Sequence, residues 1–264
     1  MHKKQKKEWF YDSKFWELYA PIIFDENRLA EVPIVADSIT RLARFNLYGE
    51  SKKSGVKLTG APRVLDLCCG FGRISAELAQ RGFSVTGIDI NKNYLKKAKK
   101  EAVYKKLDIE YIHSDARKFS RPDYFDLAVN LYVSFGYCEN SGDDLLILEN
   151  VYNSLKNGGV FIMETLGKEI AVRDFIEADW FERAGYTLLT EYEPIDSWTR
   201  LKNRWILIDK EKRLEKVFTQ RLYAASELRD LFFKAGFDTV EIFGNWDESK
   251  YDQNAEKLII VAKK

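Results

Sequence analysis

The stretch Val64–Ile90 reads VLDLCCGFGRISAELAQRGFSVTGIDI. A short apolar run ends in a glycine turn, an amphipathic segment follows, and a second apolar run ends in an acid. That is strand, turn, helix and strand, a unit that usually cradles a nucleotide. Gly70-x-Gly72-x-x-Ser75 nearly matches a dinucleotide fingerprint, and Asp89 lies where that fold places its ribose acid. Asp66, however, stands just in front of the glycines. A carboxylate there repels a pyrophosphate, whereas it favours a positively charged ligand group.

Outward from this stretch the alternation continues. Helical patterns at Ile74–Gln80, Tyr94–Tyr104 and Leu145–Leu155 separate strands at Phe83–Ile88, Ile109–Ile112, Phe125–Leu131 and Val160–Thr165. Asn157-Gly158-Gly159 is read as closing the third helix. Such a β-α rhythm argues for a parallel, doubly wound sheet. After Thr165 it changes to three antiparallel strands, Tyr186–Tyr192, Arg204–Asp209 and Leu214–Tyr223, two of them joined by a tight turn at Asp209–Lys212. Ser226 is the expected N-cap of a helix through Lys234, with Glu227 in its first turn and Gly236 ending it. Strands at Phe237–Phe243 and Lys257–Val261 follow. Ahead of the sheet, residues 9–48 read as helices punctuated by Pro21 and Pro33. Trp9, Phe10, Phe15, Trp16 and Tyr19 crowd the first, and Ile34, Ile39, Leu42 and Phe45 recur at helical spacing on the next. Glu50–Pro62 is a polar linker. The expected division is a helical cap over 1–57, a core of 58–166 and 222–264, and an antiparallel insertion over 167–221.

With 264 residues and 45% apolar content, the chain can build one sizeable core with an appendage. The 42 basic and 41 acidic residues nearly cancel, which gives no footprint for a polyanion partner. Three cysteines, Cys68, Cys69 and Cys138, make a poor disulfide framework and fit a reducing cytosol. No Cys-x-x-Cys or His-rich spacing suggests a metal. The basic start, with His2 and Lys3–Lys7, lacks the apolar segment of a secretory signal and reads as a solvated tail. No apolar run approaches the roughly 20 residues needed to span a bilayer, so a soluble cytoplasmic protein is expected.

Ligands of doubly wound sheets bind outside the carboxyl ends of the strands. Three successive ends carry an acid: Asp66, Asp89 and Asp115. S-adenosylmethionine suits that set, having no phosphate, a positive sulfur, an amino acid end, a ribose and an adenine. Asp66 and the glycine backbone face the amino acid end in this reading. Asp89 accepts from the ribose hydroxyls, and Asp115 from the adenine amine.

VLDLCCGFGR, VTGIDIN, HSDAR, FDLAVNLYVSFGY and LKNGGVFIMET, in that order, resemble the motifs of class I S-adenosylmethionine-dependent methyltransferases. The resemblance covers about residues 60–166, and AASELRDLFFKAGFDTVEIFG is similar to the family's last helix and hairpin. It implies an α/β, Rossmann-like, seven-stranded, mostly parallel sheet with the last strand antiparallel. As cofactor contacts it implies Asp66, Cys68, Gly70, Gly72, Asp89, Asp115 and Ala116. Ile90 packs on the adenine, and Asn130 and Leu131 line the methionine end. One position departs from the family: Cys68 replaces the first loop glycine, and it adopts positive φ less cheaply. In small-molecule members an aromatic N-terminal helix closes over the cofactor, which makes Tyr11 and Tyr19 candidates for reaching the methionine carboxylate or the substrate amine.

Methyl transfer is an in-line displacement at carbon, for which alignment and exclusion of water are the main contributions. An amine needs only to be unprotonated and aimed, whereas a hydroxyl needs a base. His113 reads as a strand-end residue, and Glu164 is the best carboxylate candidate. The expected activity is methylation, N favoured over O, of a small molecule or a peptide terminus. The insertion then forms a substrate lid bearing Trp198, Trp205, Arg221 and Tyr223, with Tyr223 a further catalytic candidate; a dimer surface is its alternative. Asn130-Leu131-Tyr132-Val133 lacks the prolines of the motif used on nucleic-acid bases, against such a target. Two other functions stay open: a non-catalytic S-adenosylmethionine-binding regulator and a nicotinamide-dependent oxidoreductase.

Overall fold

β1 (Arg63–Leu67) is buried along its whole length after the first residue, as a parallel strand covered on both faces must be. It pairs in parallel with β2 (Ser84–Asp89) on one side and β4 (Phe125–Asn130) on the other. With β3 (Ile109–His113), β5 (Leu155–Thr165), β10 (Thr239–Phe243) and β11 (Leu258–Lys263), they form one sheet in the order β10-β11-β5-β4-β1-β2-β3. Only β11 runs antiparallel to its neighbours. The computed structural model describes residues 8–44, 60–210 and 212–264. The expectations for His2, Lys3–Lys7, Phe45 and linker residues 50–59 lie outside them.

Successive side chains of a strand point to opposite faces, and the two cores follow from that. Leu65, Ile88, Ala128, Phe161 and Ile260 pack beneath α6 (Ser141–Ser154) and α8 (Ala225–Lys234). Val64, Val85, Leu127, Val129 and Ile162 face α3 (Val32–Leu42) and α4 (Arg73–Gln80). Full burial of each of the Val, Leu, Ile and Phe side chains among them is worth about 1.5–3 kcal/mol. α5 (Lys92–Tyr104) covers the β2–β3 edge through Leu95, Ala98 and Ala102.

The N-terminal segment divides between two partners. A 3₁₀ turn (Trp9–Tyr11) leads into α1 (Ser13–Ile23), capped by the Asp12 side chain. Phe15, Tyr19 and Ile22 of α1 pack on Leu188, Leu207 and Phe218 of a second sheet. After α2 (Glu26–Ala30), α3 lies on the core instead. Ile34 is 65% exposed, so the buried stripe of α3 is Val32, Val35, Ala36, Ile39 and Leu42 rather than one through Ile34. Pro21 sits inside α1, in its last turn, and not between helices.

Following α7 (Lys168–Arg173), the insertion has four antiparallel strands, not three: β6 (Ala178–Arg183), β7 (Tyr186–Ile195), β8 (Arg200–Asp209) and β9 (Lys212–Arg221). β6 is an edge strand with little buried surface, so its residues show no alternation to read. Two further boundaries differ from expectation. Asn157-Gly158-Gly159 lies within β5, because Gly158 N donates to Lys264 O and Lys264 N to Gly159 O. The N-cap of α8 is Ala224, not Ser226. Glu227 is its third helical residue and reaches back to accept from Ala224 N at 2.8 Å.

Candidate active site

The sheet order reverses beside β1, and the loops after β1, β2, β3 and β4 open there onto a cavity of about 700 Å³. Its floor begins with the turn after β1. Cys68, Gly70 and Gly72 all have positive φ, at 61°, 58° and 71°. The cysteine thus takes the conformation that glycine adopts most cheaply. A Cβ on Gly70 would lie 3.1 Å from the Phe24 ring, and one on Gly72 would collide with the Tyr111 hydroxyl.

The three strand-end acids differ in surroundings. Asp66 is 4% exposed and accepts from Ser75 Oγ on α4 at 2.5 Å. Burial pushes its pKa up to about 7 against that hydrogen bond, with Asp89 adding to the rise. Asp89 braces the glycine turn, accepting from Gly70 N at 2.8 Å through Oδ2 and from Asn91 N at 2.7 Å through Oδ1. Burial raises its pKa, opposed by those two N–H groups. Asn91, not Asp89, caps α5. Its Nδ2 is buried at the cavity wall with no hydrogen-bond partner among the described residues.

Asp115 is engaged. Its carboxylate accepts from Tyr11 Oη at 2.5 Å and from Arg117 Nη2 at 2.7 Å. Burial by itself would raise its pKa, but the Arg117 guanidinium and Tyr11 hydroxyl outweigh that and hold it at about 2. Arg117 also reaches Glu8 and Asp143, each at 2.8 Å. The cluster of Glu8, Asp143 and Cys138, whose spacing would admit a cation, therefore already surrounds one.

Of the cofactor residues expected from sequence, Asp66, Cys68, Gly70, Asp89, Ile90, Asp115, Ala116 and Leu131 line this one cavity. Gly72 and Asn130 do not. Gly72 precedes α4 as its cap residue. Asn130 is fully buried, donating through Nδ2 to Leu67 O at 3.1 Å and Ser134 O at 3.4 Å, so it braces the loop after β4 from beneath.

The catalytic candidates fare differently. Tyr11 is tied to Asp115 at the β3 end. Tyr19 is 1% exposed, and its hydroxyl reaches Trp205 O at 3.0 Å and Leu214 O at 3.2 Å, fastening α1 to the second sheet. Glu164 does not line the cavity; its Oε2 accepts from Tyr132 N at 2.6 Å, and Lys257 Nζ lies 3.4 Å from its Oε1. Tyr223 is turned to Asp144, to which its hydroxyl donates at 2.8 Å. Of the four residues expected on the lid's working face, Trp205 reaches the cavity; Trp198, Arg221 and Tyr223 do not. His113 Nε2 meets Ile90 O at 2.9 Å, outside the cavity.

The roof joins both appendages. Trp9 Nε1 donates to Thr219 O at 3.0 Å, its ring is 4.6 Å from Phe218, and Lys216 pairs with Asp12. Sequence reasoning missed Thr190 and Asn203, two buried polar side chains on the cavity face of the second sheet. It also missed Arg73, whose signal was legible: an arginine opens α4, where the helix dipole disfavours a cation.

A doubly wound sheet in this order, with a glycine turn and three acids over one cavity, is the architecture of class I S-adenosylmethionine-dependent methyltransferases. Residues 64–159 match the family described as a methyltransferase domain. Over 225 residues the chain is 27% identical to a glycine/sarcosine N-methyltransferase of Aphanothece halophytica, covering 84% of this chain and 83% of that one. In fold it is similar to a solved S-adenosylmethionine-dependent methyltransferase from Clostridium acetobutylicum, with a TM-score of 0.72 at 17% identity over 95% and 98% of the two chains. CalS10, an amino pentose methyltransferase from Micromonospora echinaspora solved with S-adenosylmethionine bound, gives 0.65 at 19% identity over 95% and 97%. The chain carries a methyltransferase domain over residues 64–159 and has the fold of class I S-adenosylmethionine-dependent methyltransferases, which supports S-adenosylmethionine as its cofactor. The nicotinamide alternative is thereby set aside. No helix among the described residues is long and apolar enough to cross a membrane.

Proposed function

We propose that this methyltransferase acts on an amine of a small molecule or peptide terminus, by in-line displacement and without a protein base. The carrying observation is the make-up of the cavity beyond the cofactor residues. Its walls there include Leu188, Leu201, Trp205 and Phe218 with the neutral Thr190 and Asn203. The acids that line it outside the cofactor set, Asp174 and Asp179, are exposed at its rim.

Bound S-adenosylmethionine supplies a methyl group on a positive sulfur. The chain's own residues do the rest. Asp66 faces the ammonium, Asp89 and Asn91 the ribose, and Ile90 and Ala116 the adenine. The aromatic roof excludes water and favours positive charge through its ring faces. The insertion serves as the acceptor lid in this reading. An amine aimed at the methyl group needs no further help, whereas a hydroxyl would need a base.

The test is turnover of purified protein with S-adenosylmethionine and matched amines, phenols and carboxylates, read as S-adenosylhomocysteine formed. Amine turnover is expected, with kcat/KM rising with pH up to the acceptor's own pKa. Turnover of phenols or carboxylates with none on amines would refute the reading.

A further inference from the structure

Arg73 is a cation without an anion. It lines the cavity at the start of α4, directly after the glycine turn. Its guanidinium carbon lies 3.6 Å from the Tyr132 ring centroid and 5.3 Å from that of Phe24. Among the described residues its one hydrogen bond, Nη1 to Arg28 O, is long at 3.4 Å. Among the described residues no carboxylate stands within ion-pair distance of it. Arg183, also at the cavity wall, shows the contrast: it is paired with Asp25 at 2.8 Å. Burial lowers the pKa of Arg73, the mark of a charge whose solvation has not been replaced.

The surroundings of Arg73 are built, not incidental. Tyr132 and Val133 both hold positive φ, at 56° and 61°, a conformation that side-chain-bearing residues keep only when their surroundings impose it. Glu164 imposes it here by accepting from Tyr132 N at 2.6 Å. The result sets the Tyr132 ring on the guanidinium and leaves the buried Tyr132 hydroxyl with no hydrogen-bond partner among the described residues. Two donor groups thus stand at the cavity wall, a guanidinium with no anion and a hydroxyl with no acceptor among the described residues. Asp66 lines the same cavity, an acid that a ligand ammonium would hold ionised. An amino acid end is a zwitterion, and a site for one needs an acid for the ammonium and a planar cation for the carboxylate.

We propose that Arg73 is the carboxylate receptor for the amino acid end of the cofactor, with the Tyr132 hydroxyl as a second donor. This rests on Asp66 and the glycine turn facing that end. Glu164 is then a positioning residue, acting on Arg73 through the Tyr132 backbone.

The experiment is calorimetric titration of the full chain, as wild type and as Arg73→Met, Arg73→Lys and Tyr132→Phe. The two probes are S-adenosylhomocysteine and methylthioadenosine, which shares the adenine, ribose and thioether but lacks the amino acid end. Arg73→Met should weaken S-adenosylhomocysteine by about 10- to 100-fold and leave methylthioadenosine within about twofold. Arg73→Lys should fall between, since it keeps the charge and loses the planar fork. Tyr132→Phe should cost several-fold, on S-adenosylhomocysteine alone. Unchanged S-adenosylhomocysteine affinity in Arg73→Met overturns the proposal, and so does equal weakening of both probes. If Arg73→Met does not fold, Arg73→Lys and Tyr132→Phe decide by the same two-probe comparison. Failure of the wild type to bind either probe would count against the placement of the cofactor, a separate result.

Discussion

Replacing Asp89 should damage stability and cofactor affinity together. The sequence by itself predicts a loss of affinity in a protein otherwise intact, because Asp89 reads first as a ribose acceptor. In the structure its two oxygens also hold Gly70 N and Asn91 N, at 2.8 and 2.7 Å, on a residue 9% exposed. Asp89→Ala leaves both donors without a partner, at about 1–3 kcal/mol each if buried. Because Asp89 lines the cavity, water recovers part of this, and a net loss of about 2 kcal/mol is expected. Most domains have about 5–15 kcal/mol in total, so the variant should fold. Asp89→Asn should be no milder, since its amide turns a donor toward one of the two N–H groups. Affinity for S-adenosylhomocysteine should fall by about 1.5–3 kcal/mol, on the order of 10- to 100-fold. Urea unfolding with and without ligand, together with calorimetry, measures both quantities. An unchanged unfolding midpoint in Asp89→Ala would refute the bracing of the glycine turn. Lower stability with unchanged affinity would refute the ribose contact.

Two further predictions concern the same turn. Burial holds the Asp66 pKa at about 7, above the ordinary value near 4. Its contribution to stability is therefore full below about pH 4 and is lost as pH rises toward 7. A ligand ammonium beside it favours the carboxylate, so binding S-adenosylhomocysteine at about pH 6 should release close to one proton, and Asp66→Asn should release none. Calorimetry in buffers of different ionisation heat measures this, and no release in the wild type would remove Asp66 from the amino acid end. Gly72→Ala should destabilise by about 2–4 kcal/mol, combining the strain of φ 71° with collision at the Tyr111 hydroxyl. Tyr111→Phe in the same chain should restore part of the loss in a urea melt; no restoration would mean that the hydroxyl collision contributes nothing and that backbone strain and the ring carbons account for the loss.

Much of the fold was legible because its signals are local. The alternation of apolar runs and helical stripes from Val64 to Thr165 gave the parallel sheet, and the glycines beside Asp66 separated a sulfonium ligand from a pyrophosphate. The exposed edge strand β6 escaped because a strand with little to bury has no alternation. Ser226 reads as a helix cap because serine is a common one, whereas the chain uses the Glu227 carboxylate on an alanine. Glu164 and Asn130 sit at strand ends, where sequence cannot tell a side chain aimed into a cavity from one folded beneath a loop.

The residues between Val64 and Thr165 by themselves determined the class of protein and most of the positions that line its cavity. Periodicity and residue type fix strands, turns and strand ends over short spans, and in this fold the cofactor lies along successive strand ends. Only the tertiary structure decided what each side chain does there. The Tyr11 hydroxyl meets Asp115 across 104 positions of chain, and Tyr19 fastens to Trp205 across 186. Such contacts depend on how the cap and the insertion close over the sheet, a packing that no local pattern encodes. The same packing engages Asp115 with Arg117 and Tyr11 while leaving Arg73 without an anion among the described residues.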